Sequence, residues 1–103
     1  MIGRVAADAL AMLDNRGWTQ GACEDERGVC LGTALCRAAG LPEDGRLTPA
    51  QLAAWVALTD AVLAAQQILF PDEPFDTTNV IPMLNDHSPE DDVRAVLRVM
   101  TGM

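Results

Sequence analysis

The stretch between Gly17 and Gly40 constrains the fold of this chain more than any other part. It contains all three cysteines, one of the two tryptophans and five of the eight glycines. Its first half is polar and acidic, and its second half is a run of small and apolar residues. Because small residues let helix backbones approach closely, we expect the second half to be a central helix around which the other elements pack.

Apolar residues recur at helical spacing on both sides of this stretch. A first helix is predicted over residues 4–16 and ends at Gly17, which can adopt a left-handed conformation. The central helix is predicted over residues 29–39 and ends at Gly40. Gly32 lies inside that helix, where glycine costs about 1 kcal/mol relative to alanine. We expect another backbone to approach closely at Gly32.

Two further helices begin at recognisable start signals. Thr48 and Gln51 form a capping-box pattern, and the helix that follows is predicted to run to about Leu69. Ser88 is the expected cap of a last helix, which begins with Pro89 and three acidic residues. The sequence therefore predicts a mostly all-α fold, a single helical domain over residues 1–103 that forms a compact bundle of about four helices.

Two segments between these helices are less regular. Strands over Thr19–Cys23 and Val29–Leu31, with an acidic turn between them, would form a short β-hairpin before the second helix. The alternative is a solvated loop without strands. A short helix is expected within Thr77–Asn85, with Pro82 either starting or interrupting it.

Charge and composition exclude several classes of function. Fifteen acidic residues oppose seven basic ones, a net charge of −8 that repels nucleic acid and anionic membranes. The N-terminus lacks the apolar core of a signal peptide, and we expect no stretch near the roughly 18 apolar residues that span a bilayer. Three cysteines, an odd number, argue against a disulfide scaffold and agree with a reducing compartment. We expect a cytoplasmic protein without direct nucleic-acid binding.

Cys30 is the one candidate nucleophile. Backbone N–H groups at the start of a helix favour a thiolate, and His87 is the only histidine in the chain. Asp86 or Asn85 could orient that histidine, so the set follows the logic of a cysteine-dependent enzyme. The competing interpretation is structural: Cys30 packs in the core, and Asn85 and Asp86 form side-chain turns before Ser88. We favour the structural interpretation and expect no catalysis.

A metal site would have to use the three cysteines and the histidine. Six residues separate Cys23 from Cys30, and five separate Cys30 from Cys36. Zinc sites instead place two ligands two to four residues apart, so neither these spacings nor the distant His87 fits. No phosphate loop or dinucleotide fingerprint is present in the sequence either, and we expect no metal and no cofactor.

Two short motifs carry a family resemblance: Gly17-Trp18-Thr19-Gln20-Gly21 followed by Gly28-Val29-Cys30-Leu31-Gly32-Thr33-Ala34-Leu35, and Leu84-Asn85-Asp86-His87 before the last helix. Together they resemble an uncharacterised family of small actinobacterial and actinophage domains of unknown function. The resemblance implies an origin in an actinobacterium or an actinophage, with a phage or prophage gene and a chromosomal gene as open alternatives, but it implies no reaction. It also implies that the matched positions meet in space; these are Trp18, Cys30, Gly32, Asn85 and Asp86.

The leading hypothesis is a small acidic protein-binding or regulatory module. The apolar surface of the third helix is wider than one core contact requires, which favours a homodimer through Trp55, Leu58 and Val62. One alternative is the cysteine-dependent enzyme with Cys30 as nucleophile. The other is an acidic mimic of nucleic acid that binds a basic partner protein, which would need carboxylates aligned on one face.

Overall fold

The computed structural model describes residues 1–73 and 79–103. Within those ranges the chain forms five α-helices and one two-stranded hairpin. In chain order they are α1 (Ile2–Arg16), β1 (Glu24–Asp25), β2 (Gly28–Val29), α2 (Leu31–Ala39), α3 (Pro49–Leu69), α4 (Val80–His87) and α5 (Glu90–Met100). The mostly α-helical prediction is confirmed, but the count of about four helices is wrong.

The additional helix is α4, which is regular despite its proline. Pro82 is the third residue of α4 and neither starts nor interrupts it. Proline is tolerated there because the N–H groups of a first helical turn have no partner within the helix. Of the segment expected to hold a short helix, residues 77 and 78 lie outside the described part of the chain.

The predicted ends of α1, α2 and α3 follow from local chemistry. Gly17 ends α1 with a φ of 84°, and Gly40 ends α2 in the left-handed conformation with a φ of 71°. At the start of α3 the backbone N–H of Gln51 donates to Thr48 Oγ1 over 3.2 Å, and the backbone N–H of Thr48 donates to Gln51 Oε1 over 2.9 Å. The capping box is therefore confirmed. α2 begins two residues later than predicted because Cys30 is its cap.

The predicted cap of the last helix is wrong. Ser88 is extended and ends α4, and Pro89 occupies the cap position of α5 without a side-chain hydrogen bond. The reason is that α4 continues to His87, which leaves only two residues for the connection. The acidic first turn of α5, from Glu90 to Asp92, lies at the positive end of the helix dipole as expected.

The hairpin is present with other strands than those predicted. β1 and β2 pair antiparallel as Glu24↔Val29 and Asp25↔Gly28, so the turn is two residues long. The hairpin docks on the end of α1, where the Val29 amide donates to Gly17 O over 3.1 Å. A side chain on Gly28, whose φ is 146°, would place its Cβ 2.0 Å from the carbonyl carbon of Gly17. This close backbone approach requires glycine.

The core is formed where the helices pack against one another, and α1 contacts both α2 and α5. α2 packs against α1 and α4, whereas α5 packs against α1 and α3. The expectation that α2 would be central is wrong, because α3 contacts mainly α5 and α4. The apolar stripe of α5 is fully buried, and its members are Val93, Val96, Leu97 and Met100.

One face of α3 is buried and the opposite face is apolar and exposed. Leu58 and Val62 are 1% and 0% exposed, respectively, within the single chain. Leu52, Val56 and Ile68 are about half or more exposed, at 52%, 49% and 66%.

By length and composition α3 could also span a membrane, a property that core helices of soluble proteins share. The prediction that no stretch approaches that length is therefore wrong.

Candidate functional site

Asn85 connects α4 to two other parts of the chain. α4 is amphipathic, and Asn85 lies on its buried face beside Ile81 and Leu84, with only 3% of its surface exposed. Its Oδ1 accepts hydrogen bonds from Trp18 Nε1 over 2.7 Å and from the Leu31 amide over 2.8 Å. One side chain therefore ties the segment after α1, the first residue of α2 and the end of α4 together.

The amide group of Asn85 is also satisfied. Its Nδ2 donates to Thr19 O and to Asp86 Oδ1, each over 3.1 Å. Asp86 Oδ1 also accepts from the Gly21 amide over 3.2 Å. The prediction that Asn85 and Asp86 form turns with their own backbone is wrong, because α4 extends through both residues and directs Asn85 into the protein.

Gln20 completes the contact from the other side. Its Nε2 donates to Asn85 O over 3.0 Å and to Ser88 O over 2.9 Å. The last carbonyls of a helix lack partners within the helix, so Gln20 acts as a cap for the end of α4. The segment from Trp18 to Gly21 is thus held against α4 by side-chain and backbone hydrogen bonds rather than by a β-sheet.

An apolar cavity of about 590 Å³ lies next to this contact and reaches the surface. Its walls come from the segment before β1, α2, the α2–α3 connection, α3 and α4, and most of the lining atoms are apolar. The volume is in the range of clefts that hold a small molecule. The lining residues are Gly21, Ala22, Cys23, Cys30, Gly32, Thr33, Cys36, Pro42, Glu43, Gly45, Leu47, Trp55, Ile81, Pro82, Asn85 and Asp86.

Gly32 opens onto this cavity. The atoms nearest to a Cβ built at Gly32 are Ile81 Cγ2 at 3.7 Å and Cys30 Sγ at 3.9 Å, both in side chains and both at ordinary contact distance. The expected close approach of another backbone is therefore wrong. Glycine at this position leaves space in the cavity instead of making room for a neighbouring helix.

All three cysteines are free and line the same cavity. Cys30 Sγ accepts a hydrogen bond from the Thr33 amide and donates one to Thr33 Oγ1, each over 3.3 Å. Burial raises the pKa of the Cys36 thiol, and the neighbouring Glu43, Cys30 and Cys23 raise it further. In residues 1–73 and 79–103, no group of three or more potential ligands is arranged to hold a metal ion.

The structure does not assemble the predicted nucleophile set. Cys30 pairs with Thr33, whereas His87 is exposed and does not line the cavity. Asp86 is engaged by Gly21 and Asn85. A base for the Cys30 thiol is therefore not supplied by the residues that the sequence suggested.

Ion pairs fix one rim of the cavity. Arg37 on α2 contacts Glu24 of the hairpin over 2.9 Å and Glu43 of the α2–α3 connection over 2.8 Å.

Asp25 lies in the hairpin beside Arg27. Hydrogen bonds from Arg27 and Thr19 lower the pKa of Asp25 from its ordinary 3.8 to about 2.

The residues matched by the family resemblance are close together. Trp18, Asn85 and Asp86 belong to one hydrogen-bond network, and Cys30, Gly32, Asn85 and Asp86 line the cavity.

Of the predicted dimer residues, Trp55 lines the cavity, and Leu58 and Val62 are core residues that cannot reach a partner in this fold. Dimerisation itself stays a prediction, and the exposed residues of α3 would have to carry it.

Sequence reasoning missed Ile81, Gln20 and the shared position of the cysteines. The burial of Asn85 could have been predicted, because Asn85 continues the apolar stripe of Val80, Ile81 and Leu84 at helical spacing. No comparable pattern in the sequence marks the cavity.

Comparison with known proteins supports the resemblance. A family model described as a family of unknown function, DUF6197, matches residues 2–101. No curated protein and no solved structure matches the chain. The chain belongs to the DUF6197 family.

Proposed function

We propose that this DUF6197 domain is an acidic protein-binding module whose cavity receives an apolar side chain from a basic segment of its partner. The observation that carries the proposal is Gly32. Glycine in the first turns of α2 costs up to about 1 kcal/mol of helix stability. Within residues 1–73 and 79–103 no backbone atom of a neighbouring element lies within 4 Å of a Cβ at Gly32, and the glycine leaves the apolar cavity open.

The cavity has the composition of a pocket for an anchor residue. Trp55 and Ile81 contribute apolar walls, and Thr33 and Asn85 contribute a few polar groups. Interfaces gain most of their affinity from such anchors, in which one large side chain fills a well-packed pocket. A binding energy concentrated in one pocket suits a domain of this size.

Charge favours a basic partner. The chain has a net charge of −8, and the exposed carboxylate of Asp86 lies at the cavity. Glu43 also lines the cavity but is paired with Arg37. Complementary charge accelerates association and selects partners of opposite sign. A segment with an apolar residue flanked by arginine or lysine matches both features.

The two alternatives receive less support. A cysteine-dependent enzyme would need a base beside Cys30, and Thr33 occupies that position. An acidic mimic of nucleic acid would need free carboxylates aligned on one face. The acids of the described residues are instead distributed over α1, the hairpin, the α2–α3 connection, α3, residues 72–73, α4 and α5. In the part of the chain that the structure describes, five acids pair with arginines: Asp14, Glu24, Asp25, Glu43 and Glu90.

A peptide-display selection against the whole domain tests the proposal. We expect enriched peptides that combine one large apolar residue with adjacent basic residues and whose affinity falls with added salt. Gly32→Leu places a side chain in the cavity and should weaken binding of such a peptide more than about tenfold, which corresponds to 1.4 kcal/mol. Ala57→Leu adds the same side chain on the exposed face of α3, away from the cavity, and should change affinity less than about twofold.

Two results would reject this function. Peptides that bind wild type and Gly32→Leu equally well would show that the cavity is not the binding site. A neutral solvatochromic dye that binds wild type but not Gly32→Leu, with no peptide enriched, would assign the cavity to small apolar molecules instead.

A further inference from the structure

Cys23 and Cys30 lie directly opposite each other at the open end of the hairpin. The register pairs Asp25 with Gly28 and Glu24 with Val29, and the next pair in the same register is Cys23 with Cys30. The Cys30 amide donates to Cys23 O over 2.9 Å, which continues the hydrogen-bond pattern of the hairpin by one step. The two cysteines are thus cross-strand neighbours, although six residues separate them in sequence.

This register places the Cα atoms of the two cysteines within disulfide range. Residues of a hydrogen-bonded antiparallel pair have Cα atoms about 5.5 Å apart, and their side chains lie on the same face. A disulfide accepts Cα separations of about 4.4–6.8 Å. Both side chains line the cavity, which agrees with a shared face, and Cys23 is exposed to solvent.

Cys36 is a poorer partner for Cys30. The two residues are six positions apart along α2, and a helix rises 1.5 Å per residue, so about 9 Å separates them along the axis. That exceeds the reach of a disulfide. Burial also raises the pKa of Cys36, which keeps its thiol protonated and less nucleophilic.

We propose that Cys23 and Cys30 form a redox-active dithiol that low-molecular-weight disulfides oxidise reversibly to an intramolecular disulfide in the cavity wall. The inference goes beyond the proposed function and does not depend on it. Exposed disulfides of this kind are the labile and regulatory ones, because thiols in solution can reach and reduce them.

The chemistry is two successive exchanges. The Cys23 thiolate attacks one sulfur of the small disulfide, forms a mixed disulfide and releases one thiolate, which takes up the proton that Cys23 lost. The Cys30 thiolate then attacks Cys23 Sγ, forms the Cys23–Cys30 bond and expels the second small thiolate, which takes up the proton from Cys30. One small disulfide is reduced to two thiols, and one protein dithiol is oxidised by two electrons.

Oxidation would change the start of α2. The Cys30 thiol loses the hydrogen that it donates to Thr33 Oγ1, and its Sγ turns from the Thr33 amide towards Cys23. The first turn of α2 then lacks its side-chain cap. Because both sulfurs line the cavity, the same step alters the cavity wall.

The test uses the intact domain and three serine variants. Reduced protein is incubated with oxidised glutathione, quenched in acid and analysed by mass spectrometry with peptide mapping. We expect wild type and Cys36→Ser to lose two hydrogens and to yield a peptide linked through Cys23 and Cys30. Dithiothreitol should reverse both changes. Cys23→Ser and Cys30→Ser should stop at the glutathione adduct.

Serine is used in these variants because it should preserve the fold. A serine hydroxyl is itself a favoured helix cap, so Cys30→Ser should keep α2, and far-UV circular dichroism checks this. In Cys36→Ser the closure step should be at least about tenfold faster than the first exchange, because neighbouring thiols have a high effective concentration. Adducts without closure in Cys36→Ser, or a wild-type link through Cys36, would overturn the proposal.

Discussion

Replacement of Asn85 by alanine is the sharpest test of how this fold is held together. The substitution removes a side chain that is 3% exposed and deprives three groups of their partners. These are the indole N–H of Trp18, the amide of Leu31 and the carbonyl of Thr19. They belong to different parts of the chain, so the loss affects the segment after α1 and the start of α2 together.

The size of the effect follows from the number of unpaired groups. A buried donor or acceptor without a partner costs about 1–3 kcal/mol. Asn85 lines the cavity, so water can reach part of the vacated space, and the lower bound applies to each of the three groups. We therefore expect Asn85→Ala to lower the free energy of unfolding by about 3 kcal/mol. For a domain of this length that corresponds to a fall in Tm of roughly 12–24 °C.

The measurement is equilibrium unfolding in urea, followed by far-UV circular dichroism. Trp18→Phe is the matched control, because it removes one hydrogen bond and leaves the Leu31 amide bonded to Asn85. It should cost about 1 kcal/mol. The double variant should show a coupling energy of about 1 kcal/mol, since the two residues share one bond.

Two results would refute this reasoning. A loss of less than about 1 kcal/mol in Asn85→Ala would mean that water replaces all three bonds. Equal losses in Asn85→Ala and Trp18→Phe would mean that only the indole bond matters, and the contacts to Leu31 and Thr19 would then contribute nothing.

Two further predictions concern single positions on α2 and the hairpin. Gly32→Ala should raise the free energy of unfolding by about 0.5–1 kcal/mol in thermal denaturation, because its Cβ meets only ordinary contacts; a loss of stability would contradict the assigned geometry. Asp25 has a pKa of about 2 in the folded protein against an ordinary 3.8, so the stability it contributes is complete above that ordinary value and is lost as pH falls towards 2. Asp25→Asn should flatten the decline of stability over that window, and an unchanged pH profile would count against the pairing with Arg27.

Helix starts and stops were predictable where the responsible chemistry is local. The capping box at Thr48 and Gln51, and the stop at Gly40, each involve groups within a few residues of one another. Ser88 carries a comparable signal but does not cap α5. α4 extends to His87, two residues beyond the segment in which a helix was expected, so Ser88 is already the residue that ends α4.

The role of Asn85 and the cavity required the three-dimensional structure. Asparagine favours turns, and a local pattern gives no weight to partners 54 and 67 residues away. The resemblance did predict that Trp18, Asn85 and Asp86 meet. The cavity exists partly because Gly32 has no side chain, and its size beside Gly32 is set by how α2 packs against α4. A sequence pattern does not give that packing.

The bonds of Asn85 also bear on synthesis of the chain. The Trp18 indole and its acceptor are 67 residues apart, and ribosomes add about 5–20 residues per second, so roughly 3–13 s pass between them. During that interval a nascent chain that carries α1, the hairpin and α2 lacks the acceptor for the Trp18 indole N–H and the Leu31 amide. The N-terminal third therefore cannot form its bonds to Asn85 before α4 has emerged from the ribosome.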